Sequence, residues 1–171
     1  MRAVFIDKDG TLVENVPYNV DPAQIALTPG AADGMAALAR HGYRLIVVSN
    51  QPGVALGKFP REALEAVQAR LAELVALDGF YYCPHAPGAG CECRKPAPGL
   101  LERAAREHGV SLGESWLIGD ILDDVEAGRR AGCRTVLLDN GNETEWQLTP
   151  DRTPHHIVRD LGEAAALIVG R

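Results

Sequence analysis

Residues 2–12 read RAVFIDKDGTL. Arg2 to Ile6 have the make-up of a buried β-strand, and the run stops at two carboxylates, Asp7 and Asp9, with Gly10 and Thr11 immediately behind. Side chains at i and i+2 of an extended segment share a face, with Cα atoms about 7 Å apart. Two negative charges are thus set at the mouth of the core. Such a cluster raises at least one carboxyl pKa and costs stability unless a cation resolves the conflict.

Four further runs have the same character: 44–48 (RLIVV), 79–83 (GFYYC), 115–119 (SWLIG) and 134–138 (RTVLL). Helix-period segments separate them at 31–41, 61–77, 98–108 and 123–131. Leu64, Val67, Leu71, Leu74 and Val75 form one stripe of the second, Pro98 opens the third, and Gly42, Gly109 and Gly132 follow the first, third and fourth. Strands alternating with helices need crossover connections, which predicts a doubly wound, three-layer Rossmann-like α/β domain with a mostly parallel sheet. A short run at 156–158 and a helix at about 160–169 are expected to pack at one edge. No repeat, linker or domain boundary interrupts the chain, so residues 1–171 are expected to form a single domain.

Composition narrows the function classes. Seventeen basic against 23 acidic residues, a net charge of −6 and 5% aromatics lack the basic footprint of a nucleic-acid binder. Neither an apolar leader nor a membrane-length run is visible, so a cytoplasmic location without membrane association is expected. A monomer or weak homo-oligomer is the expected state.

Asp7, Ser49, Cys83 and Asp120 each fall at the carboxyl end of an expected strand, where open α/β sheets bind their ligands. With the first strand central between the second and fourth, Asp7, Ser49 and Asp120 converge. Asp7, Asp9 and Asp120 then suit Mg²⁺, which takes one or two carboxylates, a carbonyl and waters and leaves room for a phosphate oxygen. A calcium loop beginning at Asp7 would need Gly and Glu where Leu12 and Tyr18 stand. In DGFYYCPHAPGAGCECRKP (78–96), Cys83, His85, Cys91 and Cys93 make two ligand pairs across a Pro/Gly/Ala loop, a Cys₃His set suited to structural Zn²⁺. A disulfide, or free thiols with a core histidine, leaves that spacing unexplained. Cys133 stands apart as a small core residue.

FIDKDGT (5–11), VVSNQ (47–51), CRKP (93–96) and IGDILDD (118–124), in that order and at strand ends, resemble the four motifs of the haloacid dehalogenase superfamily of phosphatases. The resemblance implies that Asp7 is the nucleophile forming an aspartyl phosphate, Asp9 the general acid/base, and Ser49 and Lys95 the catalytic partners of the phosphoryl oxygens. It further implies that Asp120 completes the Mg²⁺ site, helped by the Asp9 carbonyl, and that Asp124 orients the lysine or metal waters, with the division of roles between Asp123 and Asp124 left open.

The cysteine loop narrows the resemblance to the zinc-containing branch that holds heptose bisphosphate phosphatases and histidinol phosphatases. SNQPGVALGKF, DGFYYCPH and CRKPAPGLL are more similar to the former. A small phosphorylated metabolite is therefore the expected partner, heptose 1,7-bisphosphate first and histidinol phosphate second. Asn15 and Tyr18, in a loop where that family faces its substrate, are expected to bind it with Asn50, Gln51 and Arg94. Pro52, Leu56 and Ile121 depart from the heptose pattern and remove three polar contacts, which speaks against a second, distal substrate phosphate unless Lys58 or Arg94 compensates. No large cap fits between the motifs, so the loops at 12–28, 51–60 and 84–95 must shape the pocket. A 3′-phosphatase acting on nucleic-acid ends is disfavoured by the acidic charge. A non-catalytic phosphosugar-binding module would tolerate loss of Asp7 or Asp9, and both are present.

Overall fold

The computed structural model describes residues 1–171. Six strands, β1 (Ala3–Ile6), β2 (Arg44–Asn50), β3 (Gly79–Cys83), β4 (Trp116–Gly119), β5 (Arg134–Leu138) and β6 (His156–Val158), form one sheet in the order β3-β2-β1-β4-β5-β6. Every neighbouring pair is parallel, with Phe5 opposite Ile46 on one side and Leu117 on the other. The five helices are α1 (Ala31–Arg40), α2 (Ala63–Leu74), α3 (Gly99–His108), α4 (Leu122–Ala131) and α5 (Leu161–Val169).

The strands read as continuous apolar runs because both faces of the sheet are covered. Val4, Ile6, Leu45, Val47, Ile118 and Val136 pack under α1, α2 and α5. Ala3, Phe5, Ile46, Val48 and Leu117 alternate with them and pack against α3, with Ala127 of α4 and Cys133 in the same cluster. Cys133 is buried, as its isolation in sequence suggested.

Boundaries move where local chemistry competes with periodicity. Helix α2 ends at Leu74 because Val75 is already extended. Strand β2 runs two residues past the apolar stretch, so Ser49 and Asn50 lie within its end, opposite Tyr82 and Cys83 of β3. The tail adds β6 beside β5 and lays α5 against α1, where Asp160 caps the helix by accepting the Glu163 N–H at 2.8 Å.

Strand order reverses direction at β1, with β2 to one side and β4 to the other. The crevice between the carboxyl ends of β1 and β4 is thus the switch point. No helix is long and apolar enough to cross a membrane.

Candidate active site

Asp7 leaves β1 while its N–H still donates to the Ile118 carbonyl of β4 at 3.0 Å, so the two strand ends are tied together. Asp7, Asp120 and Asp124 each bring a carboxylate oxygen within 4.8 Å of the others. Asp7 and Asp120 come from strand ends and Asp124 from the first turn of α4. Two glycines permit the approach: a Cβ on Gly10, whose φ is +85°, would press into the Asp120 carboxylate, and one on Gly119 into Asp124.

Lys95 closes the cluster. Its buried ammonium donates to Asp7 Oδ1 at 2.7 Å, Asp124 Oδ1 at 2.6 Å and the Val48 carbonyl at 2.9 Å, which uses all three protons. Burial works against the charge, but Asp124 and Asp7 outweigh it and hold Lys95 above its usual pKa. Asp120 is pushed up to about 8, chiefly by burial and then by the charges of Asp7 and Asp124. Burial and Asp7 push Asp124 up to about 7, against the pull of Lys95. Three carboxylates facing one ammonium leave an excess of negative charge in a low-dielectric pocket. That is the donor set a hard divalent cation fits. The Asp9 main-chain carbonyl accepts no hydrogen bond from the protein and is free to join it.

The Asp9 side chain does not join the carboxylate cluster. One oxygen accepts from Lys8 Nζ at 2.7 Å and the other from Gln51 Nε2 at 3.1 Å, which leaves the group apart from Asp7 on the rim. Gln51 also donates to Ser49 Oγ at 2.8 Å. Its amide nitrogen thus spans two polar groups of the site, and both of its protons are engaged by protein. Asn50 is likewise committed: its Oδ1 accepts the Lys95 N–H at 3.0 Å and its Nδ2 donates to the Lys95 carbonyl at 3.1 Å. Both residues were expected to touch substrate through amides and backbone N–H groups; their side-chain amides also hold Lys95, Ser49 and Asp9 in place, and Asn50 lines the cleft described next.

A cleft of about 290 Å³ opens over these groups, lined among others by Asp7, Asp9, Asn15, Arg94, Lys95 and Asp123. Arg94 brings a guanidinium nitrogen, Nη1, that is buried without a partner. Asn15 reaches the cleft, whereas Tyr18 does not line it. Tyr18 is 49% exposed, with a φ of +56° and Lys58 Nζ 5.5 Å from its ring centroid. Asp123 pairs outward with Arg152 at 3.0 Å, while Asp124 holds the lysine, which distinguishes the two neighbours.

Several contributors carry no signal in the strand pattern. Thr11 Oγ1 lies 3.2 Å from Asp7 Oδ2 and 3.3 Å from Asp120 Oδ1. Asn142, in the loop after β5, donates to Asp120 Oδ2 at 2.9 Å. The sole hint was that this loop, like the others, leaves the carboxyl edge of the sheet.

Cys83, at the end of β3, meets His85, Cys91 and Cys93 with all four donor atoms within 4.8 Å. Cys83 Sγ is 2.9 Å from Cys93 Sγ and 3.7 Å from Cys91 Sγ, too far for a covalent S–S bond of about 2.05 Å, and all are free thiols. His85 offers Nδ1, 3.3 Å from Cys83 and 3.2 Å from Cys93. Burial pushes Cys83 up to about 12. For Cys91 burial acts upward too, but the Arg94 N–H and the neighbouring thiols prevail and bring it down to about 6.

A family model described as HAD-hydrolase-like matches residues 92–164. The D-glycero-beta-D-manno-heptose-1,7-bisphosphate 7-phosphatase of Pseudomonas aeruginosa is 37% identical over 172 residues, covering 97% of each chain. The chain belongs to the haloacid dehalogenase-like hydrolases. The enzyme of the same name from Escherichia coli K12 is 36% identical to this hydrolase over 80% of its length and 78% of the relative's. The crystal structure of D,D-heptose 1,7-bisphosphate phosphatase from Bordetella bronchiseptica, complexed with magnesium and phosphate, superposes with a TM-score of 0.87 at 30% identity. It covers 99% of both chains.

Proposed function

We propose that the protein is a Mg²⁺-dependent phosphatase that removes the 7-phosphate of D-glycero-D-manno-heptose 1,7-bisphosphate through an aspartyl-phosphate intermediate. The observation that carries the reading is the placement of Asp7 and Asp120 side by side at the switch point, with the buried Lys95 bridging Asp7 to Asp124. The names of the relatives and the magnesium and phosphate in the Bordetella structure support the substrate and the ion.

Asp7 attacks phosphorus, converting one difficult displacement into two easier ones. Lys95, the Ser49 hydroxyl and Arg94 face the phosphoryl oxygens, where positioning and electrostatics do most of the work. Asp9 delivers a proton to the departing sugar alkoxide and then takes one from the water that cleaves the aspartyl phosphate. Gln51 and Lys8 hold its two oxygens at the rim. Asp7, Asp120 and the Asp9 carbonyl would hold Mg²⁺, which when bound offsets the carboxylate charge and admits an anionic substrate.

Cys83, His85, Cys91 and Cys93 would hold a structural Zn²⁺. Two connections link that loop to the catalytic groups. The Cys83 carbonyl accepts the Gln51 N–H at 2.8 Å, and Cys93 lies two residues before Lys95. The hydrolase works as one domain in the cytoplasm, with the loops between strands and helices in place of a large cap.

Phosphate release with Mg²⁺ should be measured on heptose 1,7-bisphosphate, histidinol phosphate and other sugar phosphates, for wild type and Asp7→Asn. The expected outcome is turnover of the heptose bisphosphate by the wild type alone. Equal release by both proteins, or by neither, rejects the catalytic reading, and a preference for histidinol phosphate changes the substrate.

A further inference from the structure

The cation site and its lysine rest on three segments: the turn after β1, the end of β4 and, four residues further along the chain, the first turn of α4, whose Asp124 holds Lys95. A single loop after β5 touches all three. Asn140 Nδ2 donates to the Gly10 carbonyl at 2.8 Å, next to Asp9. Asn142 Nδ2 donates to Asp120 Oδ2 at 2.9 Å and reaches the Gly10 carbonyl at 3.4 Å. Glu143 Oε1 accepts the Leu122 N–H at 2.8 Å, at the start of the helix that carries Asp124. Asn142 is itself set by Asn140, whose Oδ1 accepts its N–H at 3.2 Å.

We propose that Asn142 is a positioning residue of the cation site, fixing the Asp120 carboxylate and the Asp9–Gly10 turn relative to each other and so setting Mg²⁺ affinity. Asn142 is the donor on Asp120 Oδ2, while on Oδ1 the one Thr11 hydroxyl proton is shared with Asp7 Oδ2, so Asn142 supplies the dedicated hydrogen bond that orients the carboxylate. The Asn142 amide orients Asp120 without carrying a positive charge that would compete with a metal. Partners of this kind around a ligating carboxylate are worth about 10–100-fold in metal affinity. The assignment rests on the Mg²⁺ site of the phosphatase reading.

Asn142 is exposed, so its replacement leaves the core intact. Calorimetric titration with Mg²⁺ alone, on zinc-replete protein without substrate, compares wild type, Asn142→Ala and Asn142→Leu. The expected result is binding about 10–100-fold weaker in both variants, with zinc content and Mg²⁺-free melting temperature unchanged. In the phosphatase assay, both variants need correspondingly more Mg²⁺ for half-maximal turnover while saturating Mg²⁺ restores kcat to near wild type. Mg²⁺ affinity within twofold of wild type in Asn142→Ala overturns the assignment. So does wild-type affinity in Asn142→Leu, which fills similar space without the donor and would mean that packing suffices. Because the titration needs no turnover, a wild type that binds Mg²⁺ yet hydrolyses nothing rejects the phosphatase reading separately.

Discussion

The hydrolase has two clusters of metal-type donors, and they are assembled in opposite ways. At the switch point, Asp7 meets Asp120 and Asp124 from more than a hundred residues away in the chain, and all three are buried at strand and helix ends. Cys83, His85, Cys91 and Cys93 come from one short loop, and all but Cys83 are at least partly exposed. The first cluster exists because the fold exists. The second is local to one loop, whose Cys83 belongs to the core cluster on the α3 side of the sheet with Cys91 and Cys93 packed against it. Oxygen donors left open to a ligand suit chemistry, whereas a closed sulfur and imidazole set suits support.

The contrast can be broken at either cluster. The largest effect is expected from Asp7→Asn, with phosphate release falling by about a thousandfold or more while circular dichroism and zinc content stay as in wild type. Lys95→Met should rank next. Removing one partner of a buried ion pair leaves its carboxylates uncompensated, at a cost of about 3–5 kcal/mol in urea unfolding without Mg²⁺. Added Mg²⁺ should recover much of that loss, and no recovery would mean that the carboxylates do not hold the ion. Cys91→Ser should act on the other cluster, lowering zinc content and melting temperature together by more than about 5 °C, whatever the Mg²⁺ concentration.

A smaller effect is expected from pH. Asp120 and Asp124 are raised in the folded chain to about 8 and about 7, from the ordinary carboxylate value of 3.8. Between these limits the native state binds more protons than the unfolded one, so Mg²⁺-free stability should fall as pH rises from about 4 to 8. Saturating Mg²⁺ should flatten that slope. Melting curves at pH 5, 6.5 and 8, with and without Mg²⁺, check the sign. The smallest effect belongs to Cys133→Ala: a melting shift of a few degrees from lost packing and no loss of zinc, since this thiol lies outside the loop.

The same difference governs how much was legible in the sequence. The sulfur cluster is local, so its spacing alone pointed to it. The carboxylates became legible only once the apolar runs were ordered as parallel strands with the first at the centre. Runs buried on both faces and punctuated by Gly and Pro made that ordering accessible. Long-range side-chain hydrogen bonds left no such trace. Asn50 and Gln51 stood in the right motif, but nothing in their order told that their amides would clamp Lys95, Ser49 and Asp9. Tyr18 sits in a suggestive loop, but it is not among the residues lining the cleft, and Lys58 Nζ lies 5.5 Å from its ring centroid. Asn140 and Asn142 read as an ordinary Asn-Gly turn, and only the closeness of β5 to β4 brings them to Asp120.

Strand β3 carries a further consequence. It pairs with β2 on one side and with nothing on the other, and Phe80, Tyr81 and Tyr82 lie along it, only half covered. Its last residue, Cys83, anchors the sulfur cluster, so that cluster pins the end of an unprotected sheet edge. Exposed aromatic edges recruit other chains into aggregates. With zinc held as proposed, material expressed in zinc-starved medium should precipitate as well as lose turnover.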